Sequence, residues 1–375
     1  MKIPVVLQNV SDKEILVPSD LGRFGLAELV EHMTQNSNVD FVVSGILLRT
    51  TLQEHLDAHQ LSPETTLVVT VINGCTEPRL ERSVETSDWL SCCAHQQSQE
   101  YSLVVGSLNG SISLYSKSGL FKETAPADDS VKAIAIVQQG LVAARGQQIV
   151  GFSHQLQVMF ECTGHMENVE CVASNGDMIV SGGWDNTVRL WDTAPSTDST
   201  FSTTTVKKAG TKRQKTAAPL VCQIAQVGQL DGHSGMVSGV IIDQDIYSCS
   251  FDHSVRIWDT ETRVQKLVMT GAHAMTSMAR DQLLAIGASD GAIRLYDTRT
   301  EKSVGMLRGH DNWVSGLDFN DAKLASCGYD GKTKMWDLRC DQPLFSFEAQ
   351  ERKFDVSWQD SLVNVGADGL SEYLS

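Results

Sequence analysis

A repeat of about 40 residues constrains this chain more strongly than any other feature of its sequence. Four segments each place an Asp in a turn and then alternate apolar and polar residues up to a Trp-Asp or Tyr-Asp pair: 183–192, 250–259, 288–297 and 328–337. The turn residue recurs at 185, 252, 290 and 330, and the same step reaches Asp368 ahead and Gln147 and Asn109 behind. The interval from 185 to 252 is 67 residues instead of about 38. The pattern predicts seven strand-rich units with one insertion.

Four residue types recur at fixed places in three of these units. A His opens the unit, a Ser lies four residues before the turn Asp, and a Trp lies six residues after it. These side chains can form one buried chain of hydrogen bonds across a small sheet, in which every donor has an acceptor. Loss of one member should cost about 1–3 kcal/mol. The predicted relays are His165, Ser181, Asp185 and Trp191; His233, Ser248, Asp252 and Trp258; and His310, Ser326, Asp330 and Trp336.

Units of four short strands cannot cover both faces alone, so they stack radially into a ring. The chain stops after Asp368 one strand short of a full unit, and we expect residues 78–85 to supply that outer strand. Units one, two and seven carry Tyr115, Ser153 and Leu374 where Trp would lie, and these units should be softer. The Gly-His and Trp-Asp dipeptides resemble the WD40 repeat. This resemblance implies a mainly β chain with a seven-bladed WD40 β-propeller over residues 79–375.

Residues 1–74 lack the repeat and predict a separate small α+β domain. Strands are expected at 3–10, 14–17, 41–48 (with a turn) and 66–72, and a second helix at 51–59. Ser19 is expected to cap the first helix, whose apolar stripe is Leu21, Phe24, Leu26, Leu29, Val30 and Met33. The order ββαββαβ with a central last strand is a β-grasp, and 41–72 resembles a ubiquitin-like domain. Ubiquitin ends in a flexible tail with two glycines, whereas here only Gly74 precedes Cys75 and 300 residues follow. We therefore expect a docking module rather than a conjugated modifier.

The inserted segment, expected at about 194–229 between the third and fourth blades, has a distinct composition. Its first part is rich in Ser and Thr, and a basic cluster without acids follows: Lys207, Lys208, Lys212, Arg213 and Lys215. This composition predicts disorder. Three interpretations stay open: a nuclear localisation signal, a tail that touches RNA, and a solvated surface loop.

The charge balance limits the classes of function. The chain has 30 Lys and Arg against 46 Asp and Glu, a net charge of −16, which argues against a protein that mainly grips phosphate backbones. Direct RNA contact at a local site stays open. Nine Cys occur without a C-x-x-C pair, which indicates reduced, mostly buried thiols. No apolar run of about 18 residues occurs, so no membrane partner is expected.

No catalytic arrangement is predicted. The Ser, His and Asp of each relay suggest a hydrolase, but a triad needs one exposed nucleophile with an oxyanion hole, whereas this set repeats with the unit and includes a Trp. His55 and His59, with Glu54 and Asp57 nearby, could offer two metal ligands, but we interpret them as the exposed face of a helix. We therefore expect a protein that is not an enzyme and has no cofactor.

Three stretches and a short motif carry a closer resemblance. Residues 17–30, 45–52 and the Leu-Ser-x-Glu motif at 61–64, with Ala-Pro-Leu at 218–220, resemble the WD repeat-containing protein 12 family of the PeBoW complex. The resemblance implies an assembly scaffold for maturation of the 60S ribosomal subunit and its rRNAs, in the nucleolus and nucleoplasm. It implies a propeller bound to a Bop-type WD-repeat protein that also holds Pescadillo. It further implies that the AAA ATPase midasin grips the ubiquitin-like domain on pre-60S particles, where Glu64 completes the partner's Mg²⁺ site.

Two other interpretations are compatible with this architecture. A Notchless-type pre-60S factor shares the N-terminal domain but has an additional blade, which the count of seven turn residues disfavours. A ubiquitin-pathway adaptor would bind a proteasome receptor through the N-terminal domain and present a substrate on the propeller. Co-purification with proteasome subunits instead of pre-ribosomes would favour the adaptor.

Overall fold

The computed structural model describes residues 2–374 apart from 12, 36–38, 49, 61, 63–64, 74–77, 87, 97–99, 193–221, 322, 339 and 341. This part of the chain is mainly β, as predicted, and most of its strands lie in small sheets of about four strands. Neither of its helices is long and apolar enough to cross a bilayer.

The N-terminal unit, residues 2–73, is one mixed sheet with two helices. Its strands are in the order β2-β1-β5-β3-β4, with β1 parallel to β5 and the other pairs antiparallel. The succession ββαββαβ with the last strand central is the arrangement expected from the sequence. Its elements are β1 (Lys2–Gln8), β2 (Glu14–Pro18), α1 (Arg23–Thr34), β3 (Val39–Val43), β4 (Ile46–Leu47), α2 (Leu52–Ala58) and β5 (Leu67–Asn73).

Alternating strand residues build the core of the N-terminal unit. Successive side chains of a strand point to opposite faces, so Val5 of β1 and Val69 of β5 are buried beneath the helices. The helices contribute Leu26 and Leu56 to the same cluster. Helix α2 begins with a capping box, in which the Thr51 hydroxyl accepts the Glu54 N–H and the Glu54 carboxylate accepts the Thr51 N–H.

Two expectations for the first helix are wrong. Ser19 does not cap it, because α1 begins at Arg23 with Gly22 in the cap position and no side-chain cap bond. Ser19 is buried instead, and its carbonyl oxygen accepts the Gln53 N–H at 2.8 Å, which ties the turn after β2 to α2. Phe24 and Met33 were expected in the buried stripe but are 82% and 44% exposed, because the face of α1 that packs on the sheet is the one carrying Leu26 and Val30.

Seven further sheets form the blades of the ring. The bounds of their inner, middle and outer strands follow in chain order after β6 (Arg79–Val84). They are β7 (Leu90–His95), β8 (Leu103–Ser107), β9 (Ile112–Ser116) and β10 (Gly119–Glu123) in blade one; β11 (Val131–Val137), β12 (Gly140–Arg145), β13 (Gln148–Ser153) and β14 (Val158–Thr163) in blade two; β15 (Val169–Ser174), β16 (Met178–Gly183) and β17 (Val188–Asp192) in blade three.

The remaining strands add β18 to the edge of blade two, complete blade three with β19 and form blades four to seven. They are β18 (Cys222–Ile224) and β19 (Gln226–Leu230); β20 (Val237–Ile242), β21 (Asp245–Ser250), β22 (Ser254–Asp259) and β23 (Gln265–Thr270) in blade four; β24 (Met275–Arg280), β25 (Leu284–Ala288), β26 (Ala292–Asp297) and β27 (Lys302–Arg308) in blade five; β28 (Val314–Asn320), β29 (Lys323–Gly328), β30 (Lys332–Asp337) and β31 (Phe345–Glu348) in blade six; and β32 (Lys353–Trp358), β33 (Ser361–Gly366) and β34 (Gly369–Leu374) in blade seven.

Apolar clusters between adjacent blades hold the ring together. Ile112 of blade one packs with Leu141 and Phe152 of blade two, and corresponding clusters lie at the following junctions. The second strand of each blade is covered on both faces and is nearly all apolar or small, whereas outer strands such as β10 and β23 are largely exposed. This difference explains why the middle strands are easy to recognise in the sequence.

The expected position of the insertion is wrong. Strand β19 is the outer strand of blade three, paired with β17, and β18 pairs in parallel with β14 at the edge of blade two. The insertion therefore interrupts blade three between its third and fourth strands, and 222–229 is not part of it. Only Leu230 of β19 is buried, so that strand lacks the apolar alternation that marks a strand in sequence. The basic cluster at 207–215 lies outside the described residues.

Strand β6 closes the ring, as predicted for residues 78–85. It pairs antiparallel with β34, from Arg79 opposite Leu374 to Val84 opposite Leu370. Arg82 fastens this seam on both sides, because its guanidinium lies 2.7 Å from Glu372 Oε2 and also donates to the Ser116 carbonyl of blade one at 3.0 Å.

Replacing Arg82→Ala should weaken the seam. The substitution removes the half-buried ion pair between Arg82 and Glu372. Among the described bonds, Glu372 then keeps only the one from Ser361. We therefore expect the unfolding free energy to fall by about 1–3 kcal/mol. Urea denaturation measures the loss, and hydrogen exchange should rise first in 79–84 and 369–374. Arg79→Ala, an exposed change in the same strand, should have little effect; equal effects of both variants would contradict this role of Arg82.

Candidate functional site

The three predicted relays are present, and blade four gives their geometry. His233 Nδ1 lies 2.8 Å from Asp252 Oδ2, and His233 Nε2 lies 2.8 Å from Ser248 Oγ. The indole N–H of Trp258 donates to the same Ser248 Oγ at 2.9 Å. The four side chains come from the turn before β20, from β21, from the turn after β21 and from β22, so the relay ties the first three strands of the blade together.

The other two relays repeat this geometry. In blade three His165 is 2.9 Å from Asp185 and 2.8 Å from Ser181, and Trp191 donates to Ser181 at 2.9 Å. In blade six the corresponding distances among His310, Asp330, Ser326 and Trp336 are 2.9, 2.8 and 2.8 Å. Each Asp also accepts the N–H of the residue after the His, which fixes the chain entering the blade.

The network assigns the proton positions. The Trp N–H donates to the Ser oxygen, the Ser hydroxyl donates to His Nε2, and His Nδ1–H donates to the Asp carboxylate. Every donor is used once, so a neutral imidazole and an ionised carboxylate satisfy the buried groups.

The pKa values agree with this assignment. Burial lowers the pKa of His233 and His165 despite the neighbouring carboxylates. Burial alone would raise the pKa of Asp252, but hydrogen bonds from Ser254, His233 and the Ser234 N–H outweigh it and lower the pKa to about 2. Burial alone would raise the pKa of Asp330 as well, but the bond and charge of His310 together with the Asp311 and Lys332 N–H groups lower it to about 2.

The relay serines are poorly placed for catalysis. Ser181, Ser248 and Ser326 are 0% exposed, and each hydroxyl already accepts from a Trp and bonds a His. A nucleophile needs access to substrate, which these oxygens lack. The arrangement stabilises blades and provides no reaction site at these positions.

Blade five is not among the three predicted relays and lacks one, but the sequence analysis did not count it among the softer units. Ile286 and Tyr296 occupy the Ser and Trp positions. His273 is half exposed and its Nε2 lies 3.6 Å from Asp290, which bonds Arg294 instead at 2.6 Å. The missing Ser in the sequence is the signal that would have identified this blade. In blade seven the turn residue Asp368 pairs instead with buried Lys353, at 2.7 Å.

Two predicted metal-related positions have different outcomes. Glu64 lies between α2 and β5, outside the described residues. The expectation that His55 lies on an exposed helix face is wrong: His55 is buried, its ring is 4.7 Å from that of His59, and burial followed by the charge of His59 lowers its pKa. Among the described residues, no group of three or more His, Cys, Asp and Glu is placed to hold a metal ion.

An axial channel of about 720 Å³ runs between the inner strands of all seven blades. Two half-buried carboxylates lie near the junctions of blades six, seven and one. Asp318 accepts the Trp358 N–H at 2.7 Å, and Asp355 accepts the Cys93 N–H at 3.0 Å. Burial raises the pKa of Asp318 to about 6 and that of Asp355 to about 7. These two acids link neighbouring blades through backbone N–H groups.

An aromatic cluster at the channel was not predicted from the sequence. We call it the aromatic mouth: Trp89, Trp184, Phe251, Trp313, Tyr329 and Phe354, of which all except Trp89 line the channel. Ring centroids of consecutive pairs from Trp89 through Phe354, Tyr329 and Trp313 to Phe251 lie 5.7–5.9 Å apart. Trp184 is 51% exposed and donates its indole N–H to Glu170 at 2.9 Å. An aromatic residue directly before each relay Asp was the available signal.

Replacing Ser248→Ala should destabilise blade four. The change leaves the Trp258 N–H without its described acceptor and the His233 Nε2 without its described donor, so we expect a loss of about 1–3 kcal/mol in unfolding free energy by urea denaturation. Ser234→Ala, at an exposed neighbouring position, is the matched control and should change little. A Ser248→Ala protein as stable as the wild type would contradict the relay's structural role.

The relay carboxylates should make stability fall in acid. The pKa of Asp252 is about 2 in the folded chain and 3.8 as a reference, so its contribution is complete above pH 4 and is lost as the pH falls towards 2. The shift corresponds to on the order of 1–2 kcal/mol. We expect urea midpoints of Asp252→Asn to vary less than wild type between pH 4.5 and 3. The raised pKa values of Asp318 and Asp355 act equally in both proteins, and parallel curves would contradict the assignment.

Family models match both parts of the chain. The WD domain, G-beta repeat, matches residues 156–192, 224–259 and 301–337, which are the segments that contain the three complete relays. The NLE (NUC135) domain matches residues 7–56, within the N-terminal unit.

Relatives match the chain over nearly its whole length. It is 27% identical to the ribosome biogenesis protein WDR12 homolog of Arabidopsis thaliana, over 98% of this chain and 92% of the relative. It is 28% identical to the ribosome biogenesis protein YTM1 of Meyerozyma guilliermondii, over 96% and 91%. It is 29% identical to the WDR12 homolog of Chlamydomonas reinhardtii, over 92% and 87%. Over nearly its whole length, including both the N-terminal unit and the ring, the chain is therefore similar to the WDR12 and YTM1 ribosome biogenesis proteins.

Proposed function

We propose that this protein is a non-enzymatic assembly scaffold in the maturation of the large, 60S ribosomal subunit and its rRNAs. The observation that carries the proposal is similarity to proteins named for ribosome biogenesis over 92–98% of the chain, which includes the N-terminal unit as well as the ring. A shared WD40 ring alone would not support it, because such rings serve many unrelated functions.

The propeller is proposed to hold the PeBoW complex together. In this role it binds a Bop-type WD-repeat protein, which also holds Pescadillo. The aromatic mouth supports protein binding, since exposed aromatic residues that lie in contact with one another are enriched at protein interfaces. Trp184 and Trp313 are the exposed anchors of this surface on blades three and six.

The N-terminal unit is proposed to be a ubiquitin-like handle for the midasin ATPase, which removes the factor from pre-60S particles. Glu64 would supply one carboxylate oxygen to a Mg²⁺ held in midasin's adhesion site, and Mg²⁺ favours hard oxygen ligands of this kind. The metal belongs to the partner. Support for this proposal comes from the sequence, in which Glu64 is the acid of the Leu-Ser-x-Glu motif at 61–64 that carries the resemblance.

The proposed place of action is the nucleolus and nucleoplasm. Lys207, Lys208, Lys212, Arg213 and Lys215 are proposed to serve nuclear import. Their concentration within a chain of net charge −16 supports an interaction role for this segment.

A tagged pull-down from native cells tests both roles. We expect wild type to retain a Bop-type protein, Pescadillo, midasin and large-subunit precursors. Glu64→Ala should lose midasin and keep the others, because it removes the proposed ligand without touching the ring. Glu28→Ala removes an exposed carboxylate from α1 of the same unit and should retain all of them.

Two further variants test the propeller arm of the same experiment. Trp184→Ala should reduce recovery of the Bop-type protein and Pescadillo, whereas Phe121→Ala removes an exposed aromatic ring from an outer strand and should not. Midasin bound normally by Glu64→Ala would refute the handle role. Proteasome subunits in place of pre-ribosomes would refute the assembly role and favour the adaptor interpretation.

A further inference from the structure

The outer face of the N-terminal sheet is buried at one end against blade six. Along β5, outward residues change from Val68, which is 52% exposed, to Ile72, which is 2% exposed. Ile72 packs with Val42 and Leu47 of the neighbouring strands against Cys340 and Leu344 of the ring. We call these five side chains, each 1–6% exposed, the blade-six contact. They form a cluster distinct from the core of the N-terminal unit.

The blade-six contact is continuous with the seam that closes the ring. Phe345 of β31 packs both on this contact and on the cluster between blades six and seven. Two residues later, the ring of Phe347 lies 4.6 Å from that of Tyr373 on β34. Strand β34 is the partner of β6. Packed side chains therefore connect the N-terminal unit to the seam through blade six.

The chain makes a second connection between the same two parts. Strand β5 ends at Asn73 and β6 begins at Arg79, so the closing strand is the first propeller element after the N-terminal unit. A pull on that unit reaches Arg79 directly. Arg79 lies opposite Leu374 at the end of the β6–β34 ladder, where an applied load breaks backbone pairs one after another.

We propose that the blade-six contact bears loads applied to the N-terminal unit and thereby protects the closing strand. While the contact holds, force passes from Val42, Leu47 and Ile72 into blade six. Once it separates, the same force acts on β6 and opens the ring at the seam. The use of this device in the cell rests on the proposed handle function, but its existence is a property of the isolated chain.

Thiol labelling of the full chain tests whether the contact forms in solution. Cys340 is 1% exposed within the contact, so maleimide labelling, read by peptide mass spectrometry, should be slow in the native protein. Leu47→Asp should speed labelling of Cys340 by about tenfold or more, because it places a charge in the contact. Val68→Asp is the matched control on the exposed end of the same sheet face and should leave the rate unchanged.

Force spectroscopy on the same proteins tests the load-bearing role. With the chain held at its two termini, wild type should show a first step for separation of the contact and a second step for opening of the seam. Leu47→Asp should lose the first step, and Arg82→Ala should keep the first and open the seam at lower force. Circular dichroism verifies that each variant is folded, and Leu344→Glu repeats the test from the propeller side.

Two results would overturn the proposal. Rapid labelling of Cys340 in the folded wild type would mean that the contact does not form in solution. Force traces of Leu47→Asp identical to wild type would mean that the contact bears no load. Both measurements use the purified chain without a partner, so their failure is distinguishable from failure of the proposed midasin interaction.

Discussion

The pairing of β6 with β34 is the contact on which the ring depends. Blades one, four, five and six are built from strands close together in the chain, but the seventh takes its outer strand from residues that precede it by about 290 positions, the separation of Arg82 and Glu372. Such a closure has a high loop-entropy cost and is formed late relative to local hairpins. The ladder, the Arg82 bonds and the flanking apolar clusters offset this cost, and β6 covers the edge of β34 that would otherwise be open.

Within the blades, one requirement takes several chemical forms. Each turn places polar groups beside the apolar junction of two sheets, where they must be paired. Blades three, four and six meet this requirement with His, Ser, Asp and Trp, blade five with Asp290 and Arg294, and blade seven with Lys353 and Asp368. The relay is therefore one member of a set of buried pairings, and its repetition reflects a structural need rather than a reaction.

The sequence predicted those elements whose side chains are buried with a regular period. The relay positions and the order of the N-terminal strands follow from such periods. The closing strand β6 has no buried residue and was predicted instead from the missing outer strand of the last unit. Strand β19 was missed because only Leu230 is buried, and Ser19 was misassigned because cap preference alone does not say where the chain turns into the helix. The aromatic mouth depends on which turns meet at the channel, and the blade-six contact depends on how two parts of the chain pack, neither of which is local information.

The position of the insertion divides the ring into two interlocking halves. The part of the chain up to Asp192 contains β6 and β17, and the part from Cys222 onward contains their partners β34 and β19. The first part lacks the outer strand of blade three and the three inner strands of blade seven. The second part supplies them, and it takes from the first part the outer strand of blade seven and the three inner strands of blade three. Strand β18 adds a further exchange by pairing with β14 of blade two. Two polypeptides divided within 193–221 carry all the complementary edges needed to reassemble the ring without a covalent link between them.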